Sequence, residues 1–368
     1  MATHPAIVTT TASAPLKLQN VPTVVPKSGE VRVRVDWTMT AAFDLHQADG
    51  GLLVSHGVLG SCFAGIIVEA SPDVDTAKLR IGDKVFGYGF QDQQTRAYQL
   101  YVTISAHMCG KIPSNVTPQE AVTVPDSLIT AVHTLSYSLR LPLQWPVPAS
   151  PSPSTKTPIL VWGGSSSSGH AILQVLKHWG YTNIIATSSP QHHELLKVLG
   201  ATKVFDYRDE KIVENIKNAG RSLSGNTQGP AVPLIVDSIG SVSGSLAPIS
   251  AIASTGTRVA VLLPVLIRAP SVKGPPEYAM DVKLMAKWQD GVEVEGVRTH
   301  FYMENEALKE RLQSEMLPEL VRTGAIRPIR QRLITGSTML ERAESALQAW
   351  REGVSGERLV WRVSGEGS

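Results

Sequence analysis

Cysteine is scarce in this chain of 368 residues: it occurs twice, at Cys62 and Cys109. So low a count argues against a disulfide-framed secreted scaffold and against a four-cysteine zinc lobe. A surplus of positive charge is also missing, because 34 Lys and Arg residues meet 32 Asp and Glu residues, for a formal net charge of +2. Composition therefore gives no electrostatic support for binding to a nucleic-acid backbone.

Long hydrophobic runs are missing as well. The longest one, residues 259–267, is too short to span a bilayer and contains Pro264. Residues 1–20 are rich in Thr, Ala and Pro and hold no apolar core of signal-peptide length. These features predict a cytoplasmic protein that binds neither membranes nor nucleic acids.

Apolar material is present in quantity, at 42% of the residues, which suffices for two packed domains. The first third predicts short strands separated by Gly and Pro turns, at residues 31–35, 60–70, 85–89 and 97–104, which is typical of a compact β-rich domain. Residues 126–139 predict a helix that Asp126 or Ser127 caps. Residues 141–158, with six prolines, predict a loop.

From residue 159 onward, strand and helix patterns alternate. Strands are predicted at residues 159–162, 183–187, 203–205, 234–237 and 258–263, with helices at residues 171–179, 191–199 and 211–218. This alternation predicts an α/β fold with a doubly wound parallel sheet of the Rossmann type. Residues 305–347 are mostly helical by pattern, and a last strand is predicted at residues 358–363.

A Gly/Ser loop follows the first strand of this alternation. Gly163 and Gly164 would let the backbone approach a pyrophosphate, and the helix that follows offers free N–H groups at its start. The alternative is a flexible serine-rich loop, but its place at the first strand–helix junction favours phosphate binding. The serines of the loop are Ser165, Ser166, Ser167 and Ser168.

The end of the second strand bears on which dinucleotide binds. No acid occurs there before Glu194, although an acid at this place is what binds the ribose hydroxyl of NAD. Hydroxyls and amides can donate to a 2′-phosphate, so we predict NADPH as the cofactor. Ser189 could also cap the next helix. Tyr207, after the third strand, is expected to pack on the adenosine or touch the 2′-phosphate, while Lys197 and Arg208 are phosphate partners or plain surface charges.

In this order, the motifs resemble the medium-chain dehydrogenase/reductase superfamily, in its quinone-oxidoreductase-like branch without zinc. They are most similar to fungal trans-acting enoyl reductases of polyketide pathways. The matching segments are residues 60–65, 82–87, 130–131, 163–169, 200–207 and 355–360. The resemblance implies a GroES-like catalytic domain made of residues 1–130 and 291–368. Residues 131–290 would form an inserted Rossmann domain, with NADPH in the cleft between the two domains.

The resemblance also implies an activity and a set of site residues. The activity is NADPH-dependent reduction of an activated C=C bond in an enone or enoyl thioester. The substrate would be a small or carrier-bound polyketide-like molecule, with a polyketide synthase as a partner and a monomer or homodimer as the working form. Expected cofactor contacts are Phe43, Asp44, Leu45, His46, Thr130, Gly163, Gly164, Ser165, Ser166, Ser167, Ser168, Ser188, Ser189, Gln191, His192, Tyr207, Leu262 and Leu263. Expected substrate contacts are Asp126, Ser127, Leu128, Ile129, Thr130, Ala131, Val132, His133, Leu359 and Val360.

Zinc ligands of the superfamily are absent from their expected positions. Zinc-containing members carry a Cys, then an Asp three residues later and a His five residues later; here these positions hold Ala41, Asp44 and His46. The position of their second ligand is Ser61. Because a catalytic zinc needs three protein ligands, we predict no metal.

The catalytic residue is left open, with four candidates: His46, Cys62, Thr130 and His133. Cys62 replaces an Asp that is usual in related reductases, and it is either a buried hydrophobe or a reactive pocket thiol. Asp44 has the alternative of a buried carboxylate held by backbone N–H groups. His46 is a cofactor contact, a proton donor or an exposed loop residue, and His133 faces either the pocket or the core. Rival functions are an NADPH-dependent quinone or carbonyl reductase, a non-redox cyclase or isomerase, and a nucleotide-binding protein without turnover.

Overall fold

The computed structural model describes residues 2–52, 56–148, 156–225, 228–268 and 276–365. They form two compact units. The terminal unit comprises Met1–Asp126, Pro270–Pro276 and Tyr302–Ser368, and the central unit comprises Ser127–Ala269 and Glu277–Phe301. The predicted domain limits, after residues 130 and 290, differ from these divisions. The second division lies further along the chain because strand Glu293–Val297 pairs with the sheet of the central unit.

Short strands and helices alternate along the described residues. The strands are β1 (Thr3–Thr9), β2 (Lys17–Pro22), β3 (Glu30–Thr40), β4 (Gly57–Val58), β5 (Cys62–Ala70), β6 (Lys84–Tyr88), β7 (Tyr101–Ser105), β8 (Cys109–Lys111), β9 (Ile159–Trp162), β10 (Ile184–Ser188), β11 (Lys203–Asp206), β12 (Leu234–Asp237), β13 (Arg258–Leu262), β14 (Val265–Arg268), β15 (Glu277–Ala279), β16 (Glu293–Val297), β17 (Gln331–Leu333) and β18 (Arg358–Arg362). The helices are α1 (Ala42–Gly50), α2 (Pro118–Ala121), α3 (Pro125–His133), α4 (Ser167–His178), α5 (His193–Leu199), α6 (Ile212–Ser224), α7 (Ala247–Ile252), α8 (Leu317–Arg322) and α9 (Met339–Glu352). In this part of the chain, no helix is long and apolar enough to cross a membrane.

The terminal unit is rich in β-structure, as the alternating pattern predicts. One sheet has the strand order β2-β1-β4, and a larger one runs β17-β18-β3-β5-β6-β8, with β7 also paired to β3. Along β3, Val31, Val33 and Val35 are fully buried, while the arginines between them are partly exposed. Trp361 of β18 packs edge-on against Tyr98 with ring centroids 4.6 Å apart, so the last strand completes the core of the unit.

The central unit holds a six-stranded parallel sheet with the order β11-β10-β9-β12-β13-β16. Numbered along the chain, this order is 3-2-1-4-5-6, the doubly wound arrangement that binds dinucleotides. Strands β9, β10 and β12 are buried along their whole length, which explains their nearly continuous apolar sequences. The structure confirms the predicted fold class: a GroES-like β-rich part and a Rossmann sheet.

Several predicted boundaries are wrong. The helix predicted from residue 171 begins at Ser167, because Ser166 caps it. The helix predicted over residues 126–139 is α-helical only to His133 and continues as a π-helical turn over Thr134–Ser138. The strand predicted from residue 97 begins at Tyr101, and the tail predicted to be mostly helical contains strand β17. Residues 149–155 of the predicted loop lie outside the described residues.

Candidate functional site

The Gly/Ser loop of the central unit joins β9 to α4, and its glycines are required by close packing. Gly163 has a φ of +80°, and a Cβ there would lie 2.5 Å from the Ile239 side chain. A Cβ on Gly169 would lie 2.4 Å from the carbonyl oxygen of Gly163. The first turn of α4 therefore lies directly against the loop, and substitution of either glycine would force them apart.

Hydrogen bonds fix this loop to the neighbouring strand. The backbone N–H of Gly163 donates to Thr187 Oγ1 at 3.0 Å, and that of Gly164 donates to the Thr187 carbonyl at 2.8 Å. Ser166 Oγ accepts from the Gly169 N–H at 3.0 Å and caps α4. The N–H groups of the first helical residues, Ser167 and Ser168, have no acceptor inside the helix. Together with the positive end of the helix dipole, these N–H groups could hold a phosphate group.

The carboxyl end of β10 presents hydroxyl, amide and imidazole groups. Ser188 is buried and donates from Oγ to the Ser189 carbonyl at 3.0 Å. Ser189 stands at the N-cap of the turn Pro190–His192, yet its side chain accepts no capping hydrogen bond. The capping alternative for Ser189 is therefore wrong, and its hydroxyl is not used to cap. Glu194, the first acid in this stretch, is exposed and pairs with Lys197 at 2.6 Å, which leaves Lys197 a surface charge.

Tyr207 follows β11, the strand beside β10. Its ring is 43% exposed, and the Arg208 guanidinium lies 5.5 Å from the ring centroid. Arg208 also donates twice to Asp206, from Nε and Nη2, at 2.9 Å each. Asp206 aligns with Ser188 in the sheet register. These hydrogen bonds lower the pKa of the Asp206 carboxyl and neutralise its charge beside the predicted phosphate site.

Asp237, at the carboxyl end of β12, is a site residue that the sequence analysis missed. Its Oδ1 accepts from the backbone N–H groups of Ile239 and Gly240 at 2.9 and 3.1 Å, and its Oδ2 accepts from Ser245 Oγ at 2.6 Å. Burial raises the pKa of this carboxyl to about 6. Asp237 holds the turn that places Ile239 against Gly163. The sequence signal that could have identified it is an aspartate at the end of a buried strand.

Helix α3 and the π-helical turn after it carry the predicted substrate residues. In the central unit, Thr130 Oγ1 lies 2.9 Å from Thr299 Oγ1, so the two hydroxyls share a hydrogen bond. His133 stacks on Tyr137 with ring centroids 5.2 Å apart and is 3% exposed. Burial, and then the nearby His300, lowers the pKa of His133 to about 4. His133 is therefore a neutral imidazole near pH 7.

Other predicted substrate residues are interior ones. Four of them belong to α3 and two to β18, and none of these six has exposed area. Leu262, the last residue of β13, and Leu263, which follows it, are predicted to contact the cofactor, and both are partly exposed. The residues with no exposed area are Leu128, Ile129, Ala131, Val132, Leu359 and Val360.

The segment at the start of α1, in the terminal unit, is largely buried. Asp44 is fully buried, and its two oxygens accept from the backbone N–H groups of Ala41 at 2.8 Å and Gly60 at 3.1 Å. Burial raises its pKa to about 6. The alternative of a carboxylate held by backbone N–H groups thus describes Asp44. Burial lowers the pKa of His46 to about 4. Of the four predicted cofactor contacts in this segment, Phe43 is partly exposed, and the other three are buried, with Leu45 3% exposed.

Cys62 lies near an ion pair in the terminal unit whose arginine is buried and whose aspartate is partly exposed. Arg358 Nη2 donates to Asp126 Oδ2 at 2.6 Å, and Arg358 is 3% exposed. Cys62 has no exposed area, and burial together with the Asp126 carboxylate raises the pKa of its thiol well above the ordinary value. Burial therefore favours the alternative that Cys62 is a buried hydrophobe. Asp126, predicted as a cap or substrate contact, is instead neutralised by Arg358.

These contacts also test whether the terminal unit fits a zinc ion. Ala41 has no donor atom, Ser61 replaces the second ligand, and both Asp44 oxygens already accept backbone N–H groups. Within the described ranges, no three His, Cys, Asp or Glu side chains come together as a metal site would require. The residues present do not fit a catalytic zinc.

The central sheet, its glycine-rich loop and the β-rich terminal unit define a protein built on a dinucleotide-binding scaffold. Residues 27–133 match the family model described as "Alcohol dehydrogenase GroES-like domain", and residues 169–271 match that described as "Zinc-binding dehydrogenase". The dehydrogenase orsE of Emericella nidulans is 30% identical over 254 residues, which cover 63% of this chain and 72% of orsE. The chain therefore belongs to the medium-chain dehydrogenase/reductase superfamily, which confirms the resemblance.

Other known proteins are similar over different lengths. The trans-enoyl reductase tndF of Aspergillus flavipes is 30% identical over 227 residues, covering 59% of this chain and 64% of tndF. The match spans only 49% to 58% of the length of three further relatives, from Schizosaccharomyces pombe and Saccharomyces cerevisiae. Among solved structures, the quinone oxidoreductase of Coxiella burnetii shares the fold with a TM-score of 0.69 and 20% identity, over 99% of this chain and 100% of that one.

Proposed function

We propose that this protein is an NADPH-dependent reductase that transfers a hydride to an activated C=C bond of an enoyl thioester or enone. The observation that carries the proposal is the hydrogen-bonded Gly/Ser loop at the end of β9, beside an end of β10 that carries hydroxyls and amides in place of an acid. Membership of an oxidoreductase superfamily supports the reaction class. The name of tndF, a trans-enoyl reductase, supports the acceptor.

The residues of the central unit fit a nicotinamide dinucleotide. The N–H groups at the start of α4 would bind the pyrophosphate, and Ser189 and Gln191 would donate to a 2′-phosphate, while the Ser188 hydroxyl donates to the Ser189 carbonyl. Tyr207 offers an exposed ring face for the adenine. When bound, NADPH supplies the hydride, and the protein supplies binding and orientation.

Substrate activation falls to the hydroxyl pair of Thr130 and Thr299. As the hydride adds to the β-carbon, negative charge develops on the carbonyl oxygen of the substrate, and a donor already in place there lowers the barrier. Thr299 can donate its hydroxyl proton to Thr130 Oγ1 while Thr130 donates its own to the substrate, since the two oxygens are 2.9 Å apart. The imidazoles of His46 and His133, with pKa values of about 4, do not serve as charged acids at neutral pH. The α-carbon then takes its proton from water.

We further propose that the substrate is a polyketide-like chain, small or carrier-bound, which a polyketide synthase presents. The support is the name of tndF, a trans-enoyl reductase, together with the resemblance of this chain to reductases of polyketide pathways. The described residues hold no cluster of three potential metal ligands, so hydrogen bonds would polarise the substrate carbonyl.

The test is incubation with 4-deuterated NADPH and a panel of unsaturated thioesters, followed by mass spectrometry. Deuterium on the β-carbon of the product supports the proposal, whereas turnover of quinones or ketones alone contradicts it. Thr130→Val, which removes the hydroxyl at constant shape, is expected to lower kcat by about 10²-fold. Thr130→Ser is the matched control, because it keeps the hydroxyl and should retain most of the activity.

A further inference from the structure

His170 stands in the first turn of α4, one residue after Gly169, and its burial is unusual for a polar side chain. It is 6% exposed, and its Nε2 atom has no hydrogen-bond partner among the residues described. A buried polar nitrogen without a partner costs free energy, so an orphaned group of this kind calls for an explanation such as a missing ligand. No motif in the sequence singled this residue out.

The position of the ring indicates which ligand it meets. His170 lies one helical turn before Leu173, on the same face of α4. A Cβ on Gly164 would lie 3.5 Å from Leu173 and 2.9 Å from Leu196 of α5, so this face of α4 is turned towards α5 and the end of β10 that precedes it. There His170 stands beside the capped N-terminus of a twelve-residue helix, whose free N–H groups already favour an anion.

The other charged groups near this position are already engaged. His193 Nε2 contacts the Ser188 carbonyl at 3.3 Å, the Glu194 carboxylate binds Lys197, and the Asp206 carboxylate is held by Arg208. The two carboxylates are therefore paired with cations and do not accept from the His170 ring. Burial, and then His192, lowers the pKa of His170 to about 4, so the free protein holds a neutral ring with one N–H to donate.

We propose that His170 donates a hydrogen bond to the 2′-phosphate of NADPH and, opposite His192, makes the site specific for the phosphorylated dinucleotide. This inference rests on the proposed cofactor and deepens it. A phosphate with a charge near −2 is a strong acceptor, and it would supply the partner that Nε2 lacks. NADH, which lacks that group, would leave the nitrogen without a partner.

Calorimetric titration with NADPH, NADH, 2′,5′-ADP and 5′-AMP tests the role of His170. It compares the wild type with His170→Leu, in which an apolar side chain fills the position and the N–H donor is removed. We expect NADPH and 2′,5′-ADP to bind about tenfold more weakly to the variant, and NADH and 5′-AMP to change less than twofold. His170→Gln retains an N–H and should recover part of the loss. His178→Gln, at the other end of the same helix, is the matched control and should bind all four ligands like the wild type.

A second measurement uses the wild-type protein and so does not depend on how the variants fold. The pKa of His170, followed by NMR of labelled histidine, should rise when 2′,5′-ADP is added and stay unchanged with 5′-AMP. An equal loss of NADPH and NADH affinity in His170→Leu, or no rise in the pKa, would overturn the inference alone. A wild type that binds no dinucleotide would overturn the proposed cofactor as well.

Discussion

The end of β10 offers a direct way to reverse the proposed cofactor preference, by Ser189→Asp. Ser189 is partly exposed, and its side chain caps no helix, so the substitution removes no capping hydrogen bond. For a partly exposed site with an effective dielectric of about 40, two unit charges about 6 Å apart repel by about 1.4 kcal/mol. A 2′-phosphate with a charge near −2 doubles this to about 2.8 kcal/mol, a loss of about 100-fold in NADPH affinity.

The same carboxylate can accept from the ribose hydroxyl of NADH, so NADH should bind at least as well as before. Fluorescence titration with both dinucleotides measures the two affinities directly. Ser250→Asp is the control, because α7 leads to the amino end of β13, away from the carboxyl ends where the loop lies. Equal weakening of both dinucleotides in Ser189→Asp, or an NADPH loss matched by Ser250→Asp, would refute the assignment of the 2′-phosphate to this strand end.

Two further predictions concern stability and are checked by urea unfolding. Arg358→Met should destabilise the protein by about 3–5 kcal/mol, because it leaves the Asp126 carboxylate uncompensated, and Asp126→Asn added to it should restore part of the loss; an unchanged midpoint would contradict the ion pair. His133, with a folded pKa of about 4 against an unfolded value near 6.5, contributes stability that is present above pH 6.5 and lost as the pH falls towards 4. Between pH 6.5 and pH 4, the unfolding free energy of His133→Gln should therefore fall by about 3 kcal/mol less than that of the wild type. Parallel profiles of unfolding free energy against pH for the two proteins would refute this.

Much of the fold could be predicted because local pattern and tertiary role agree. The alternation along Val31, Val33 and Val35 marks a half-buried strand, and the Gly163 loop joins a strand to a helix in sequence as in structure. The predicted ends of helices were less accurate where a single side chain determines them. Ser166 caps α4, which begins at Ser167, four residues before the apolar pattern, since the cap precedes the hydrophobic face.

The site was harder to predict because its decisive contacts join distant residues. Asp126 meets a partner 232 positions away in sequence, and no spacing rule relates it to Arg358. The apolar residues of α3 matched a substrate motif, but the same pattern also buries a helix face. His170 was missed because a histidine after a glycine loop carries no signal until its ring is seen to be buried.

The carboxyl edge of the central sheet shows how two acids can coexist with a phosphate site. Asp206 and Asp237 both close strands of this sheet, and free carboxylates there would repel an anion. Arg208 neutralises the first, while two backbone N–H groups and the Ser245 hydroxyl donate to the second and offset its charge. Each acid thus serves to order its own turn. The donors at the start of α4 are left to an incoming phosphate, whose charge they can bind without competition.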